Sequence, residues 1–516
     1  MPKFIPYNYD QSKMVMVNYQ DQLQPGTFEH AIHVLVGGII DVSAFHARYN
    51  NDVTGRFAYD PAILLKIILF AYSKGITSSR EIQWCCETNI IFKALSCDTV
   101  PHFTTIADFI SSSSTQIEAF FEAVLLTCHD QGLLGNELFA IDGCKMRSDA
   151  AKQWSGTIKE LENKRDKLKR QIAFQLSEHR KMDEAEANEC IRKARTQQTI
   201  ETLQASHDKI DAFLAKESPR MGKGKRQREV KSNITDNESA KMSTSKGTIQ
   251  GYNGLAAVDS KHQIIISAEA IGSGPEQHTL TGMLEDIDER YQKLAISDDI
   301  YADGVKVTAD TGFSNEENMQ YLYENNIDAF IPDKDFRSRD PKFVDAKSKY
   351  TTIKTTPSVF TFTDFTYDAI KQTCVCPAGK LMCFRGIRKD RDNKPRSFFE
   401  GRLTDCRHCE LKEKCMTNPA AADNRKGHGK QVTFIQEDQC QPTYMDWMIA
   451  RVDSQYGKEI YSHRMSVVEP VFANIGSNKR LSKFSLRTKA KVQGQWKLYC
   501  IVHNLEKLMN YGELAA

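Results

Sequence analysis

The sequence predicts a multidomain α/β protein, in which a mixed sheet is interrupted by two insertions and preceded by an all-α domain. Three observations predict it. At 516 residues the chain is too long for a single core. Apolar residues keep helical spacing as far as residue 123, and between residues 136 and 331 strand patterns alternate with helices. Two stretches, 155–235 and 334–455, depart abruptly from that alternation and read as insertions.

Composition narrows the function classes. With 40% hydrophobic and 26% charged residues the chain has the make-up of a soluble globular protein. A formal charge of +2 does not by itself point to nucleic acid, so any such argument rests on local charge. Met1-Pro2-Lys3-Phe4 lacks the apolar core of an export signal, and the run Ala62 to Tyr72 is broken by Lys66 and too short to span a bilayer. The expectation is a cytoplasmic protein with no membrane partner. Fourteen cysteines in such a chain suggest reduced thiols, some of them on metal, rather than disulfides.

Residues 1–130 form the expected helical N-terminal domain, a module for DNA binding, dimerisation or plain packing. Phe28, Ile32, Val34, Leu35 and Ile39 begin it, and Tyr59-Asp60-Pro61-Ala62 marks a helix start with Asp as cap and Pro in the first turn. Ser78 and Glu81 stand at capping-box spacing before a helix whose Trp84, Cys85 and Cys86 are expected in the core. The first part of the sheet core, 131–154, holds a buried strand ending at Ile141 with Asp142 at its tip. Residues 155–235 read as a helical hairpin, because Ile158, Leu161, Leu168 and Ile172, then Leu203, His207, Ile210 and Leu214, keep heptad-like spacing among charges. Its basic loop includes Arg220, Lys223, Lys225, Arg226 and Arg228, suited to phosphate or simply to water.

The second part of the core, 236–333, has strands from Tyr252 to Val258 and Gln263 to Ile271 around an Asp259-Ser260-Lys261-His262 turn, with Asp259 on the surface. A helix follows with Leu280, Met283, Leu284 and Ile287 on one face. A strand from Val305 to Ala309 then ends in Asp310, and Ser314 with Glu317 suggests a capping box before the next helix. His278 reads as structural or as a group near a metal, and Asp149 as a surface acid. In 334–455, Cys374 and Cys376 with Cys406, Cys409 and Cys415 fit a small zinc-ribbon-like unit with at most four thiolate ligands, or equally a β-rich insert packed around free thiols. The C-terminal helices, 456–516, carry Glu469 beside Pro470, with Val468, Val471, Phe472 and Ile475 on one face. Alone, Glu469 reads as an ordinary helical salt-bridge residue. Trp496 is expected in the core.

Without the insertions, this is the element order of an RNase H-like fold, with two aspartates at strand tips and a glutamate on a late helix. Asp142-Gly143, Ala309-Asp310-Thr311-Gly312-Phe313, and Tyr461-x2-Arg464-x4-Glu469-Pro470-Val471-Phe472 together resemble the bacterial insertion-sequence transposases of the DDE type. Ile234-Thr235-Asp236 with Gly251-Tyr252-Asn253, and the closing Trp496 to Leu505, agree with that resemblance, which spans about residues 15 to 510. It implies that Asp142, Asp310 and Glu469 bind two Mg²⁺ (or Mn²⁺) ions for phosphodiester cleavage and strand transfer. Tyr461, Arg464, Lys479 and Arg480 would hold DNA phosphates. The implied partners are double-stranded DNA, as element terminal repeats and target, and a second copy in a homodimer on paired ends; the implied location is the bacterial nucleoid. The alternative is an inactive or co-opted DNA-binding protein on the same fold. One departure stands out: four residues separate Arg464 from Glu469, where a well-known subgroup has three, and each extra helical residue turns a side chain by about 100°.

Overall fold

The computed structural model describes residues 16–49, 51, 57–184, 190–222, 228–343, 359–389, 395–436 and 442–513. The chain divides into two compact units, Met1–Asp333 with Arg451–Ala516, and Lys334–Ala450.

The first unit is built on a six-stranded mixed sheet. Its strands are β1 (Leu138–Arg147), β2 (Ala240–Thr244), β3 (Gly247–Asp259), β4 (Ile265–Ile271), β5 (Lys306–Ala309) and β6 (Asp328–Phe330). The order is β6-β5-β1-β3-β2, with β4 also on β3. β3 runs antiparallel to β1 with Ala256 opposite Asp142, and it is long enough for β2 to pair with its first half and β4 with its second. β5 and β6 are parallel to β1 and to each other in succession. Phe139, Ala140 and Ile141 are fully buried, as are Val307 and Ala309, the pattern of strands covered on both faces.

Among the described residues, six α-helices precede the sheet: α1 (Phe28–Leu35), α2 (Pro61–Ser73), α3 (Ser79–Thr88), α4 (Ile90–Leu95), α5 (Phe103–Ser112) and α6 (Ser114–Asp130). α2 starts as expected, with the Asp60 side chain accepting from the Ala62 N–H and Pro61 in the first turn. α3 starts at Ser78, but the expected capping box does not form, since Ser78 makes no side-chain cap bond. Cys85 and Cys86 are buried, whereas Trp84 is 61% exposed. The helical period explains this correction: Trp84 lies about 200° from both Ile82 and Cys86, the residues that face inward.

The first insertion is two antiparallel-type arms, α7 (Ile158–Glu184) and α8 (Cys190–Lys216), meeting through Leu161, Ile172, Ile200 and Ile210, all buried. In the basic loop, Arg220 is taken up by the carbonyls of Asn237 and Lys231, while Lys223, Lys225 and Arg226 lie outside the described residues.

α9 (Leu280–Lys293) and α10 (Glu316–Glu324) follow β4 and β5. α10 begins one residue later than the sequence suggests: Asn315 is the cap and accepts from the Asn318 N–H. Asp259 is buried rather than on the surface, because its carboxylate accepts the N–H groups of Gly135, Asn136 and Lys261 and so ties the entry of β1 to the β3–β4 turn.

Two C-terminal helices complete the unit. α11 (Gln455–Ala473) packs on β1, β3 and β5, and α12 (Lys489–Tyr511) packs on α6, α2 and β4. Trp496 is buried as expected, donating to the Leu255 carbonyl at 2.9 Å. Pro470 lies deep inside α11 rather than in a first turn. It has no N–H for the Ser466 carbonyl one turn back, and the Gln263 side-chain amide donates to that carbonyl instead, at 3.0 Å.

The second unit contains a two-stranded sheet, β7 (Thr366–Asp368) with β8 (Thr373–Val375), and a three-stranded one, β9 (Cys383–Lys389), β10 (Pro395–Glu400) and β11 (Gln431–Ile435). Phe365, Cys374, Met382, Phe399, Val432 and Phe434 form its core.

Candidate active site

Asp142 is not at the end of β1, which continues to Arg147 against β3. It is at the end of the parallel pairing with β5, whose last pair is Ile141 with Ala309. Asp142 and Asp310 are therefore the next residues of two neighbouring parallel strands, at the edge where such sheets place their sites. The antiparallel partner keeps β1 extended past the acid, which is why the strand does not stop where its apolar run does.

Arg464 of α11 joins the two acids. Its Nη1 lies 3.0 Å from Asp142 Oδ2 and its Nη2 lies 3.3 Å from Asp310 Oδ1. The Arg464 side chain is only 8% exposed. Its guanidinium also lies over the Tyr461 ring, 6.0 Å from the centroid. Burial pushes the Asp142 carboxyl up to about 6; Arg464 and the Gly143 N–H pull it back, while Asp310 and Glu276 push it further up.

Glu276 was not singled out by the sequence. It sits in the turn before α9, where its Oε1 accepts from Asn253 Nδ2 at 2.7 Å. A Cβ on Gly312 would lie 2.7 Å from Glu276 Oε2, so the glycine two residues after Asp310 leaves room for this carboxylate. A Cβ on Gly143 would meet Leu255 at 2.6 Å and Asn253 Oδ1 at 3.0 Å, so Gly143 leaves room for those two side chains beside Asp142. No spacing signal marks Glu276; only the fold brings its turn to the strand ends.

Glu469 lies further along α11 than Arg464, is exposed, and makes no hydrogen bond or ion pair with a described residue. Five helical positions place it about 140° around the helix from Arg464. Asp142, Asp310 and Arg464 are thus gathered and Glu469 is not joined to them. Among the described residues, no group of three or more His, Cys, Asp or Glu is already disposed to hold a metal ion. The donors that are gathered are hard oxygens, which suit Mg²⁺ or Mn²⁺.

The expected phosphate contacts divide. Arg480 is exposed, in a left-handed conformation. Lys479 is buried and its ammonium pairs with Glu506 at 2.5 Å, so it faces the interior and not a phosphate. His278 is exposed and shares a hydrogen bond with Gln277. Asp149 is half-buried and pairs with Lys483 and Arg487.

In the second unit, Cys376, Cys406, Cys409 and Cys415 line one apolar pocket. Burial raises the Cys415 thiol to about 11, and the other three add to the rise. Cys374 is separate: its thiol is fully buried 3.7 Å from the Met382 sulfur, as a core residue.

No helix among the described residues is long and apolar enough to cross a membrane. Residues 17–112 match the family model described as Transposase domain, and residues 375–509 match the one described as Transposase DDE domain. No curated protein matches the chain.

Proposed function

We infer, for a chain that belongs to the DDE-type insertion-sequence transposases with an N-terminal transposase domain, that it cuts element ends and joins them to target DNA at Asp142 and Asp310. The observation that supports this most is the sharing of Arg464 by two aspartates that follow adjacent parallel strands. The order β4-β3-β1-β5-β6, with β3 and β4 antiparallel and β5 and β6 parallel, favours the RNase H-like reading of the core.

In this reading Asp142 and Asp310 would hold divalent cations, Mg²⁺ or Mn²⁺, and Glu469, which is exposed on α11 and not joined to them in this structure, would have to turn toward them to complete the set. Two such ions, when bound, supply the charge that activates water or a 3′-hydroxyl and stabilises the leaving oxygen. The chain's own part is positional. β1 and β5 fix the two carboxylates, and Arg464 offsets part of their charge and would be free to meet DNA phosphate once cations took its place. Tyr461 steadies Arg464, and Arg480 is the exposed cation suited to phosphate. Element ends and target are the DNA partners, held by a homodimer on paired ends in the bacterial nucleoid. In the second unit, Cys376, Cys406, Cys409 and Cys415 are the thiols whose chemistry suits Zn²⁺, with Cys374 left out.

Cleavage of DNA carrying the cognate ends tests the reading. With Mg²⁺ or Mn²⁺ the wild type should nick, while Asp142→Asn, Asp310→Asn and Glu469→Gln should bind DNA and fail to cut. A variant that still cuts removes its residue from the site. A wild type that binds ends and never cuts favours the alternative, an inactive DNA-binding protein.

A further inference from the structure

We propose that Glu276 is a further acid of the cation pocket, reaching Asp142 and Asp310 from the turn before α9. The proposal rests on the reading of those aspartates as cation ligands.

The geometry has two independent parts. First, Glu276 is placed where an acid has no structural need to be. It adds negative charge beside two aspartates that already share one arginine. Gly312 leaves space for one of its oxygens, and Asn253 holds the other at 2.7 Å. No described cation forms an ion pair with it. Gathering a third carboxylate at such a place is unfavourable unless positive charge arrives.

Second, Asn253 is 1% exposed and its Oδ1 is buried without a hydrogen-bond partner. That oxygen lies over Gly143, next to Asp142 in the chain. A buried amide oxygen without a donor is unfavourable, because it has given up its water and gained nothing in return. A cation held by Asp142 and Glu276 would bring a hydrated donor within reach of that oxygen. Asn253 would then have two roles: its amide nitrogen orients Glu276, and its oxygen is an acceptor beside the pocket. Arg464 pairs with both Asp142 and Asp310 from α11, and an arriving cation would compete with it for their oxygens.

The test is Mn²⁺ binding to the full chain without DNA, by calorimetry and by electron paramagnetic resonance, alongside thermal melting with and without the ion. Glu276→Gln keeps the bond from Asn253 and removes only the charge. It should melt no lower than wild type without Mn²⁺, lose the rise in melting temperature that Mn²⁺ gives wild type, and bind the ion about tenfold to a hundredfold more weakly. Glu276→Asp, with the charge retained, should recover part of that loss. Wild-type binding by Glu276→Gln, with binding lost in Asp142→Asn, overturns the role of Glu276 and leaves the aspartate pocket standing. Wild-type binding by Asp142→Asn and Asp310→Asn as well overturns both.

Discussion

Arg464 holds two carboxylates with one charge, so its loss is felt twice. The Arg464→Lys variant keeps the charge and loses the fork that spans Asp142 and Asp310. It should lower stability by about 1.5–3 kcal/mol in urea unfolding, the usual range for hydrogen bonds to charged groups. Adding Asp142→Asn should recover part of that loss, since the repulsion goes with the charge; a fully additive double variant would show that the two residues are not coupled. His503 gives the pH prediction. It is buried, accepts from Asn474 at Nδ1 and donates to the Gln263 carbonyl at Nε2, so both nitrogens are satisfied only in the neutral ring. Burial lowers its pKa from 6.5 to about 3. Between those values the unfolded chain binds the proton and the folded chain does not, so stability falls as pH drops through that window. The slope should approach about 1.4 kcal/mol per pH unit below pH 6. His503→Gln should flatten this part of the pH–stability curve in urea titrations, whatever its effect at pH 7.

At the scale of elements, α11 is a helix with a missing bond that its neighbour replaces. Pro470 leaves the Ser466 carbonyl without an N–H from its own helix, and Gln263, held at φ 59° in the β3–β4 connection, supplies the donor. Gln263→Ala should cost about 1 kcal/mol. The same change in a Pro470→Ala background should cost less, because the helix then supplies its own donor; equal costs in both backgrounds would remove the compensation. This pairing also marks what the sequence can and cannot reveal. Asp142 and Asp310 were legible because an apolar run followed by an acid is a local pattern, and adjacent parallel strands bring such ends together. Arg464 could be read as a cation near phosphate but not as the link between the two acids, which depends on the phase of α11 over the sheet. Glu276 was invisible, since its neighbours come from β3 and from the turn after β5. Trp84 and Asp259 were misplaced for opposite reasons: the helical period turns the tryptophan outward, and three backbone N–H groups draw the aspartate in.

At the scale of the whole molecule, the sheet unit is made from two stretches of chain with the second unit between them, so the order of folding need not follow the order of sequence. α12, the last helix, has Trp496 against Leu255 of β3, and Tyr499 stacked on Tyr72 of α2 at 4.8 Å. The N-terminal helices and the sheet thus share α12 as a core element. Among the described residues of the second unit, Phe365, Cys374, Met382, Phe399, Val432 and Phe434 form a core drawn from that unit. The chain leaves the first unit after β6 and returns at Arg451, which donates to the Asp328 carboxylate and to the Ala329 carbonyl of that same strand. Exit and re-entry are therefore anchored at one strand, and closing that gap with a short flexible linker carries only a modest entropic cost, about 0.6 kcal/mol for each doubling of loop length. A chain in which residues 334–450 are replaced by a Gly/Ser linker should keep a single cooperative unfolding transition, with the circular dichroism of a mixed α/β core. The excised residues alone should also fold, with dispersed amide resonances. Loss of cooperative unfolding in the shortened chain would mean that the sheet unit depends on the second unit for its stability.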